Sequence, residues 1–302
     1  NPEEPAALAL AVEKAKETDA ELVLASDPDA DRVGAAVKNN EGEWVLLNGN
    51  QTALMFVYYL ITRWKELGKI NGKEYIVKTI VTTETIKTIA ERNGVEMYDV
   101  YTGFKWIANV MRENEGKKNY IGGGEESYGF LCEDFVRDKD AVSACVILAE
   151  IAAWAKDQGL SLYQLLQKIY VEYGFSKEKG ISVVKKGKSG AEEIEAMMKK
   201  FRENPLTEIA GSKVTYFYDY STLKGKDYAE NETVTLDMPT TSNVLQYFTE
   251  DNTKVSIRPS GTEPKIKFYC EVHSKVKSLD ELPAAEKAGA EKIEAIKASL
   301  GI

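Results

Sequence analysis

Residues 27–32 read Asp-Pro-Asp-Ala-Asp-Arg and follow a short apolar run at 21–25. The apolar run predicts a buried strand, so the acidic residues form the loop at its carboxyl end. Three carboxylates at alternate positions repel one another unless a cation compensates their charge. The pattern therefore predicts a strand that ends in a cation-binding loop, with Asp27, Asp29 and Asp31 as candidate ligands.

The ligand type narrows the choice of ion and of loop. Oxygen ligands favour Mg²⁺, Mn²⁺ or Ca²⁺ over zinc. A calcium-binding EF-hand requires Gly at its sixth position and Glu at its twelfth, where this chain has Arg32 and Lys38. A haloacid-type phosphatase usually has Thr or Val two residues after its second Asp, where this chain has Asp31. Two interpretations stay open here: a Mg²⁺ loop for phosphate chemistry, with Arg32 available to a phosphoryl or substrate oxygen, and a solvated acidic turn.

The composition argues against several classes of function. A net charge of −9 and a pI near 5.1 disfavour nucleic acid or an anionic membrane as the main partner. The longest apolar run, 53–61, is too short to span a bilayer, and no signal peptide is visible, so we expect a cytoplasmic protein. Cys132, Cys145 and Cys270 form no Cys-x-x-Cys pair, which indicates neither a zinc site nor a disulfide framework.

The single histidine, His273, restricts the catalytic chemistry that is available. Any Ser-His or Cys-His pair would have to use it. It lies in a strand-like alternation of residues and is interpreted as an ordinary surface residue. Metal-activated chemistry, or acid–base chemistry by Asp, Lys or Arg, is favoured by elimination.

Strands and helices alternate along the first part of the 302-residue chain, which is long enough for two or three domains. We predict an α/β fold with two mixed-sheet α/β domains, at 1–70 and 71–180, each with flanking helices. A C-terminal α+β domain with an antiparallel sheet follows at 181–302. The Lys- and Gly-rich segment 176–190 is interpreted as a boundary. Predicted helices cover 3–17, 50–67, 84–92, 140–157, 161–173, 191–203 and 284–299. Predicted strands cover 21–25, 75–81, 96–101 and 213–219, with hairpins at 31–47 and 253–273 and a turn-rich stretch to about 240.

A glycine-rich loop, Gly122–Gly129, follows a short strand. If the loop is extended, Glu125 and Ser127 point the same way. A carboxylate beside a hydroxyl suits the vicinal hydroxyls of a sugar, although a simple glycine turn at a strand end is an equal alternative.

The tip of the last hairpin has the residue types of an anion site. Arg258 offers a bidentate fork, Ser260 and Thr262 offer hydroxyls, and Gly261 lets the backbone approach closely. An ordinary polar hairpin turn is the alternative interpretation.

Four segments together resemble the successive signatures of the α-D-phosphohexomutases, the phosphoglucomutase/phosphomannomutase family. The segments are Ala25-Ser26-Asp27-Pro28-Asp29-Ala30-Asp31-Arg32, Thr102-Gly103-Phe104-Lys105, Gly124-Glu125-Glu126-Ser127-Tyr128-Gly129 and Arg258-Pro259-Ser260-Gly261-Thr262-Glu263-Pro264. A single such loop is weak evidence, but four in order and at matching spacing are specific, and they extend along the whole chain.

The resemblance implies a role for each matched residue. Asp27, Asp29 and Asp31 would bind Mg²⁺, and Arg32 could support them. The sugar would be bound by Glu125 and Ser127, with Gly103, Lys105 and Lys139 at the wall of the site and Lys78, a looser match, along the same cleft. The phosphate that is not being transferred would be held by Arg258, Ser260, Gly261 and Thr262.

The chain departs from the family in one respect. The family's first domain carries a phosphoserine in a Ser-His-Asn-Pro-type loop, and no such loop occurs in these 302 residues. The chain therefore resembles domains two to four, without its own N-terminal domain, and we expect the fragment to be inactive alone. The whole protein would interconvert hexose 1-phosphate and hexose 6-phosphate through a hexose bisphosphate, with glucose favoured over mannose or a pentose. A catalytically silent sugar-phosphate-binding module and a Mg²⁺-dependent sugar phosphatase stay open as alternatives.

Overall fold

The computed structural model describes residues 1–185, 187–261 and 263–302, and of Lys188 the backbone alone. The chain divides into two compact units, Asn1–Tyr173 and Gly174–Ile302. In the described part of the chain, no helix combines the length and the apolar character needed to cross a membrane.

The first unit begins with a helix on a small antiparallel sheet. Helix α1 (Pro5–Glu17) starts with a proline, whose fixed φ suits the first helical turn. It packs through Leu8 and Ala15 against Val23 and Ala36 of the sheet. The sheet has the order β1-β2-β3 and consists of β1 (Leu22–Ser26), β2 (Val33–Lys38) and β3 (Trp44–Leu47).

Helix α2 (Gly49–Glu66) is the central helix of this unit. Asn48 and Gln51 form a capping box, in which each side chain accepts a hydrogen bond from the other residue's backbone N–H. All residues from Thr52 to Ile61 are buried, because α2 lies between further helices and a second sheet. A helix that is apolar on all sides must be covered on all sides.

The second sheet of this unit is mixed, with the order β5-β4-β6-β7. Strand β4 is parallel to β5 and β6, whereas β6 and β7 are antiparallel. The carboxyl ends of β4, β5 and β6 therefore lie at one edge, where α/β proteins usually carry their sites. The strands are β4 (Glu74–Thr79), β5 (Glu96–Val100), β6 (Asn119–Gly124) and β7 (Phe130–Cys132). The helices are α3 (Thr85–Arg92), α4 (Phe104–Asn114), α5 (Ala141–Asp157) and α6 (Leu162–Tyr173).

The second unit is built on an antiparallel sheet with the order β12-β11-β10-β13-β14-β15-β8, to which β9 adds beside β10. Apolar residues of α7 and α8, including Met198 and Ile296, pack with Ile257 and Phe268 of the sheet. The strands are β8 (Phe175–Val184), β9 (Glu208–Ile209), β10 (Ser212–Asp219), β11 (Lys224–Asp227), β12 (Glu232–Thr235), β13 (Leu245–Thr249), β14 (Lys254–Pro259) and β15 (Lys265–Ser274). The helices are α7 (Gly187–Glu203), a 3₁₀ turn at Leu279–Glu281, and α8 (Leu282–Leu300).

The predicted fold class is confirmed, with one refinement: the first sheet is antiparallel throughout. The interpretation of 176–190 as a boundary is wrong for most of its length, since 175–184 forms the ten-residue strand β8. Its Lys and Gly content is typical of an edge strand, which is protected from pairing by charge. The turn-rich stretch to about 240 also contains the hairpin of β11 and β12. The domain limits 1–70, 71–180 and 181–302 stay predictions.

Candidate active site

The acidic loop is closed by its own hydrogen bonds. Strand β1 ends at Ser26, and Oδ1 of Asp27 then accepts hydrogen bonds from the backbone N–H groups of Asp31 and Arg32, both at 3.1 Å. Ala30 has a left-handed φ of 57°, which lets the chain turn back so sharply. The backbone of the loop is therefore fixed by the carboxylate of its first residue.

The charge of Asp27 is stabilised locally. Burial favours the neutral acid, but hydrogen bonds from the backbone of Arg32 and Asp31, with the nearby guanidinium, outweigh it and lower the pKa of Asp27. Arg32 Nε lies 3.7 Å from Oδ2 of Asp27 and 3.8 Å from Oδ1 of Asp31. Arg32 also approaches Glu3, at 3.5 Å. Arg32 thus compensates the loop from its exposed side.

Asp31 has a carboxylate oxygen that could still accept a cation. Oδ2 lies 3.1 Å from Nζ of Lys139, whereas Oδ1 is buried and accepts no hydrogen bond from the part of the chain that the structure describes. Asp29 is exposed. Over the described residues, no group of three or more His, Cys, Asp or Glu side chains is arranged to hold a metal ion. The donor atoms suit a hard cation, and Asp29 would have to turn inwards to complete the set.

Lys139 connects this loop to the glycine-rich loop. Burial alone would lower its pKa, but the carboxylates of Asp31 and Asp138, the latter at 3.2 Å, outweigh this and raise the pKa of Lys139. Its Nζ lies 5.4 Å from the centroid of the Phe104 ring. A Cβ at Gly129 would be 2.1 Å from Cδ of Lys139, so the lysine stem fits here because residue 129 is glycine.

The glycine-rich loop brings two predicted sugar-binding residues together. The buried carboxylate of Glu125 accepts a hydrogen bond of 2.7 Å from the backbone N–H of Gly103, the residue that caps α4. A carboxylate at a helix N-terminus is favoured by the helix dipole. Gly103 has a φ of 108°, a conformation that favours glycine. Ser127 is half-buried in the same loop.

Backbone hydrogen bonds hold the two loops against each other. The N–H of Val33 donates to the carbonyl of Tyr128 at 2.9 Å, and the N–H of Ala141 donates to the carbonyl of Ala30 at 2.9 Å. The acidic loop, the glycine-rich loop and the start of α5 are therefore joined by main-chain contacts, which do not depend on side-chain rotamers. Within the first unit the structure thus brings Asp27, Asp31, Arg32, Glu125, Gly103 and Lys139 into one region.

Two other predicted residues have different surroundings. Lys78 is 1% exposed, and its Nζ lies 3.0 Å from Glu84 and 2.7 Å from Asp99. Lys105 is exposed, with its Nζ 5.1 Å from the ring of Trp106. The role of both as sugar-binding residues stays a prediction.

Sequence reasoning did not single out Glu126, the second carboxylate of the glycine-rich loop. Its Oε2 accepts hydrogen bonds from the hydroxyls of Thr79, at 3.1 Å, and Thr82, at 3.4 Å. These contacts tie the loop to the carboxyl end of β4. The adjacent Glu-Glu pair could have indicated a separate partner for Glu126, because two neighbouring carboxylates cannot both face the same group in an extended loop.

The predicted phosphate site lies at the β14–β15 hairpin of the second unit. The N–H of Ser260 donates to the carbonyl of Lys265 at 2.7 Å, and the N–H of Glu263 donates to the hydroxyl of Ser260 at 3.3 Å. Arg258, at the end of β14, is half-buried, and Gly261 is exposed. Thr262 lies outside the described residues.

The interpretation of His273 as an ordinary surface residue is wrong. Its Nδ1 lies 3.2 Å from the hydroxyl of the buried Ser176, which also contacts Glu271 at 3.2 Å. A Cβ on Gly174 would be 2.4 Å from the imidazole ring, so the ring packs closely on that glycine. Burial lowers the pKa of His273. Strand alternation alone could not reveal this, because the second face of the sheet is also partly covered.

Comparisons with known proteins identify the family of the chain. Three family models match the chain: "Phosphoglucomutase/phosphomannomutase, alpha/beta/alpha domain II" at 1–42, "alpha/beta/alpha domain III" at 48–173 and the "C-terminal domain" at 182–288. The chain belongs to the phosphoglucomutase/phosphomannomutase family.

Curated relatives and solved structures support the same family and fold. A phosphoglucomutase of Staphylococcus haemolyticus is 35% identical over 89% of this chain and 48% of its own length, and one of Staphylococcus aureus is 38% identical over the same shares. The chain thus spans about half the length of these curated relatives. A putative phosphomannomutase of Thermus thermophilus is similar in fold, with a TM-score of 0.61 at 19% identity over 97% of this chain and 50% of that one. A phosphoglucomutase/phosphomannomutase family protein of Burkholderia thailandensis has the same TM-score and identity over 99% and 51%.

Proposed function

We propose that this chain supplies the metal, sugar and phosphate sites of a phosphoglucomutase-type phosphotransferase that interconverts hexose 1-phosphate and hexose 6-phosphate through a hexose bisphosphate. The single observation that carries the proposal is the joining of the acidic and glycine-rich loops by backbone hydrogen bonds. Such a constellation suits a reaction in which positioning and electrostatics supply most of the rate.

A Mg²⁺ ion fits the chemistry of the acidic loop. Asp27, Asp29 and Asp31 would hold it, and the buried Oδ1 of Asp31, which accepts no hydrogen bond within the described residues, supports this assignment. When bound, the ion supplies positive charge to the phosphoryl group that is being transferred. Arg32, already within 4 Å of two of these carboxylates, would help to balance the charge.

The substrate would be held by side chains that differ in type. Glu125 would accept hydrogen bonds from sugar hydroxyls, and Ser127 would add a donor and an acceptor. Lys139, with Gly103 and Lys105 at the same wall and Lys78 as the loosest assignment, would contact the sugar phosphate. Arg258, Ser260, Gly261 and Thr262 would bind the phosphate that is not transferred, since a guanidinium and two hydroxyls suit its oxygens.

We assign the nucleophile to a part of the whole protein outside these 302 residues. The only histidine is His273, so the chain has no Ser-His-Asn-Pro loop. The 302 residues alone would then bind sugar phosphates without interconverting them. We keep glucose as the favoured sugar and the cytoplasm as the expected location.

A titration of the 302-residue chain with glucose 1,6-bisphosphate tests this proposal. Calorimetry in the presence and absence of Mg²⁺ should show binding that Arg258→Met weakens about tenfold or more, because a charge-assisted contact is lost. Lys213→Met, which removes one positive charge at an exposed position of the same unit, is the matched control and should have no effect. Equal affinities for the two variants would contradict the phosphate assignment.

Three further outcomes would replace all or part of the proposal. Release of inorganic phosphate from the bisphosphate, abolished in Asp27→Asn, would indicate a phosphatase. Conversion of glucose 1-phosphate by the pure chain would show that the nucleophile lies within it. Binding without any turnover by the natural, complete protein would favour a silent sugar-phosphate-binding module.

A further inference from the structure

We propose that Lys139 is an internal cation that competes with the metal ion for Asp31, so that metal binding releases its ammonium group. The inference rests on the proposed function and concerns how the site balances its charge before the metal arrives. It also assigns Lys139 a role in setting the metal affinity of the acidic loop.

The ammonium group of Lys139 lies beside the carboxylate of Asp31. Nζ of Lys139 lies 3.1 Å from Oδ2 of Asp31, and the lysine side chain is only 16% exposed. Arg32, the other cation at the loop, stays 3.7 Å or more from its carboxylates and is 41% exposed. Among the described residues, Lys139 therefore makes the closest contact between a side-chain cation and the three candidate ligands.

Asp31 cannot bind the ammonium group and a divalent ion equally well at the same time. A divalent ion bound to Asp31 would lie within a few Å of the ammonium group, where like charges repel by several kcal/mol at the dielectric of a protein surface. One cation must leave, and the ion gains further contacts from Asp27 and Asp29 that Lys139 does not make.

A second carboxylate is available to the released ammonium group. It already lies 3.2 Å from Oδ1 of Asp138, an exposed carboxylate, and near the face of the Phe104 ring. The aliphatic stem of the lysine lies close to Gly129, and a change at its last rotatable bonds would be enough to move the ammonium group. The exchange thus replaces one carboxylate partner by another and leaves no buried charge alone.

Lys78 is a buried lysine that contacts no candidate metal ligand. It is 1% exposed and contacts Glu84 and Asp99, neither of which belongs to the acidic loop. Its carboxylate partners have no reason to change when a metal binds. Within the described ranges, the exchange is thus specific to Lys139, which contacts both a candidate metal ligand and a surface carboxylate.

Competition of this kind couples the metal to the substrate. A sugar phosphate that binds the released ammonium removes the competitor from Asp31, which strengthens metal binding. By linkage, the metal strengthens sugar phosphate binding by the same factor.

Binding of Mn²⁺ to the 302-residue chain, measured as loss of the free-ion EPR signal, tests the proposal. We expect Lys139→Met to bind Mn²⁺ at least about tenfold more tightly than the matched control Arg137→Met. The control removes the same charge from the same loop, but Arg137 contacts Glu115 at 3.1 Å instead. Lys139→Arg should keep an affinity near that of the parent, because a cation still competes.

A double variant shows whether the effect passes through Asp31. In an Asp31→Asn background, Lys139→Met and Arg137→Met should bind Mn²⁺ equally. If Asp31→Asn weakens binding but Lys139→Met equals Arg137→Met in the parent background, the exchange is refuted and the metal site stands. If no variant binds Mn²⁺, the metal site fails and the exchange fails with it.

Discussion

The acidic-loop region of the first unit and the hairpin tip of the second unit are constructed differently, although a ligand-binding role is proposed for each. In the acidic-loop region, main-chain hydrogen bonds join segments far apart in sequence, such as Val33 with Tyr128 and Ala30 with Ala141. At the hairpin tip, the N–H of Ser260 donates to the carbonyl of its near neighbour Lys265, and one described long-range bond runs from the N–H of Lys185 to the carbonyl of Pro264 at 2.9 Å. The acidic-loop region is therefore tied to distant segments at two points, whereas the backbone around Ser260 is held by a local turn, with one long-range bond at Pro264.

This difference has a physical consequence. A loop that is pinned by contacts across the fold holds charges in place at the moment of reaction. In the proposed function, the hairpin tip would have to supply only donors and a positive charge, since the phosphate assigned to it is not the one that is transferred.

Glycine-to-alanine substitutions should separate the two regions most clearly. In Gly49→Ala the new Cβ would lie 2.0 Å from the carbonyl oxygen of Glu126, so the first unit should lose about 3 kcal/mol of stability in urea unfolding. In the matched variant Gly261→Ala the new Cβ would meet nothing within 4 Å, and the change should stay below about 1 kcal/mol. Equal losses of stability in the two variants would mean that the two regions are equally constrained.

Removal of the buried lysine of the first unit should have the next largest effect. Lys78→Met would leave Glu84 and Asp99 without their shared cation, at a cost of about 2 kcal/mol, since both carboxylates are partly exposed to water. The exposed Lys105→Met is the control, with an expected change within about 0.5 kcal/mol. All four tryptophans lie in the first unit, so tryptophan fluorescence reports its unfolding.

Acid should destabilise the first unit through Asp27. Because its pKa is lower in the folded protein, its contribution to stability is present above about pH 4 and is lost as the pH falls through the folded-state pKa. The free energy of unfolding, measured by tryptophan fluorescence, should therefore decrease more steeply as the pH falls below about 4 in the parent than in Asp27→Asn. Identical slopes would show that the loop does not stabilise the charged form.

The second unit should respond to acid at a higher pH, through His273. Burial lowers its pKa, so the stability that the neutral ring contributes is complete above about pH 6.5 and falls as the pH drops towards the folded-state pKa. Since the chain has one histidine, an NMR titration of its ring assigns the pKa without ambiguity. A value at or above 6.5 would contradict the described burial, and His273→Gln should remove the response.

Local signals in the sequence predicted most elements and the candidate loops. Asp140, the first residue of the helix predicted at 140–157, caps α5 and accepts hydrogen bonds from the N–H groups of Val142 and Ser143. Such a cap depends on three neighbouring residues and can be read directly. The close approach of the Lys139 stem to Gly129 could not be predicted this way, since it depends on the path of the chain between the two residues.

Non-local contacts account for what sequence reasoning missed. The ion pairs of Lys78 join residues on β4, on β5 and ahead of α3, and the strand β8 is defined by its pairing with β15 along ten residues. Neither has a periodic pattern of its own. His273 differs from a surface residue because Gly174 and Ser176, almost a hundred positions earlier, lie against it.

The proposed function requires that the acidic loop binds a hard cation. Anomalous diffraction from crystals of the 302-residue chain soaked in Mn²⁺ tests it most directly. We predict a single strong peak between the carboxylates of Asp27, Asp29 and Asp31, with Nζ of Lys139 withdrawn from Asp31. An ordered acidic loop without a Mn²⁺ peak, at concentrations that label other carboxylates, would contradict the account.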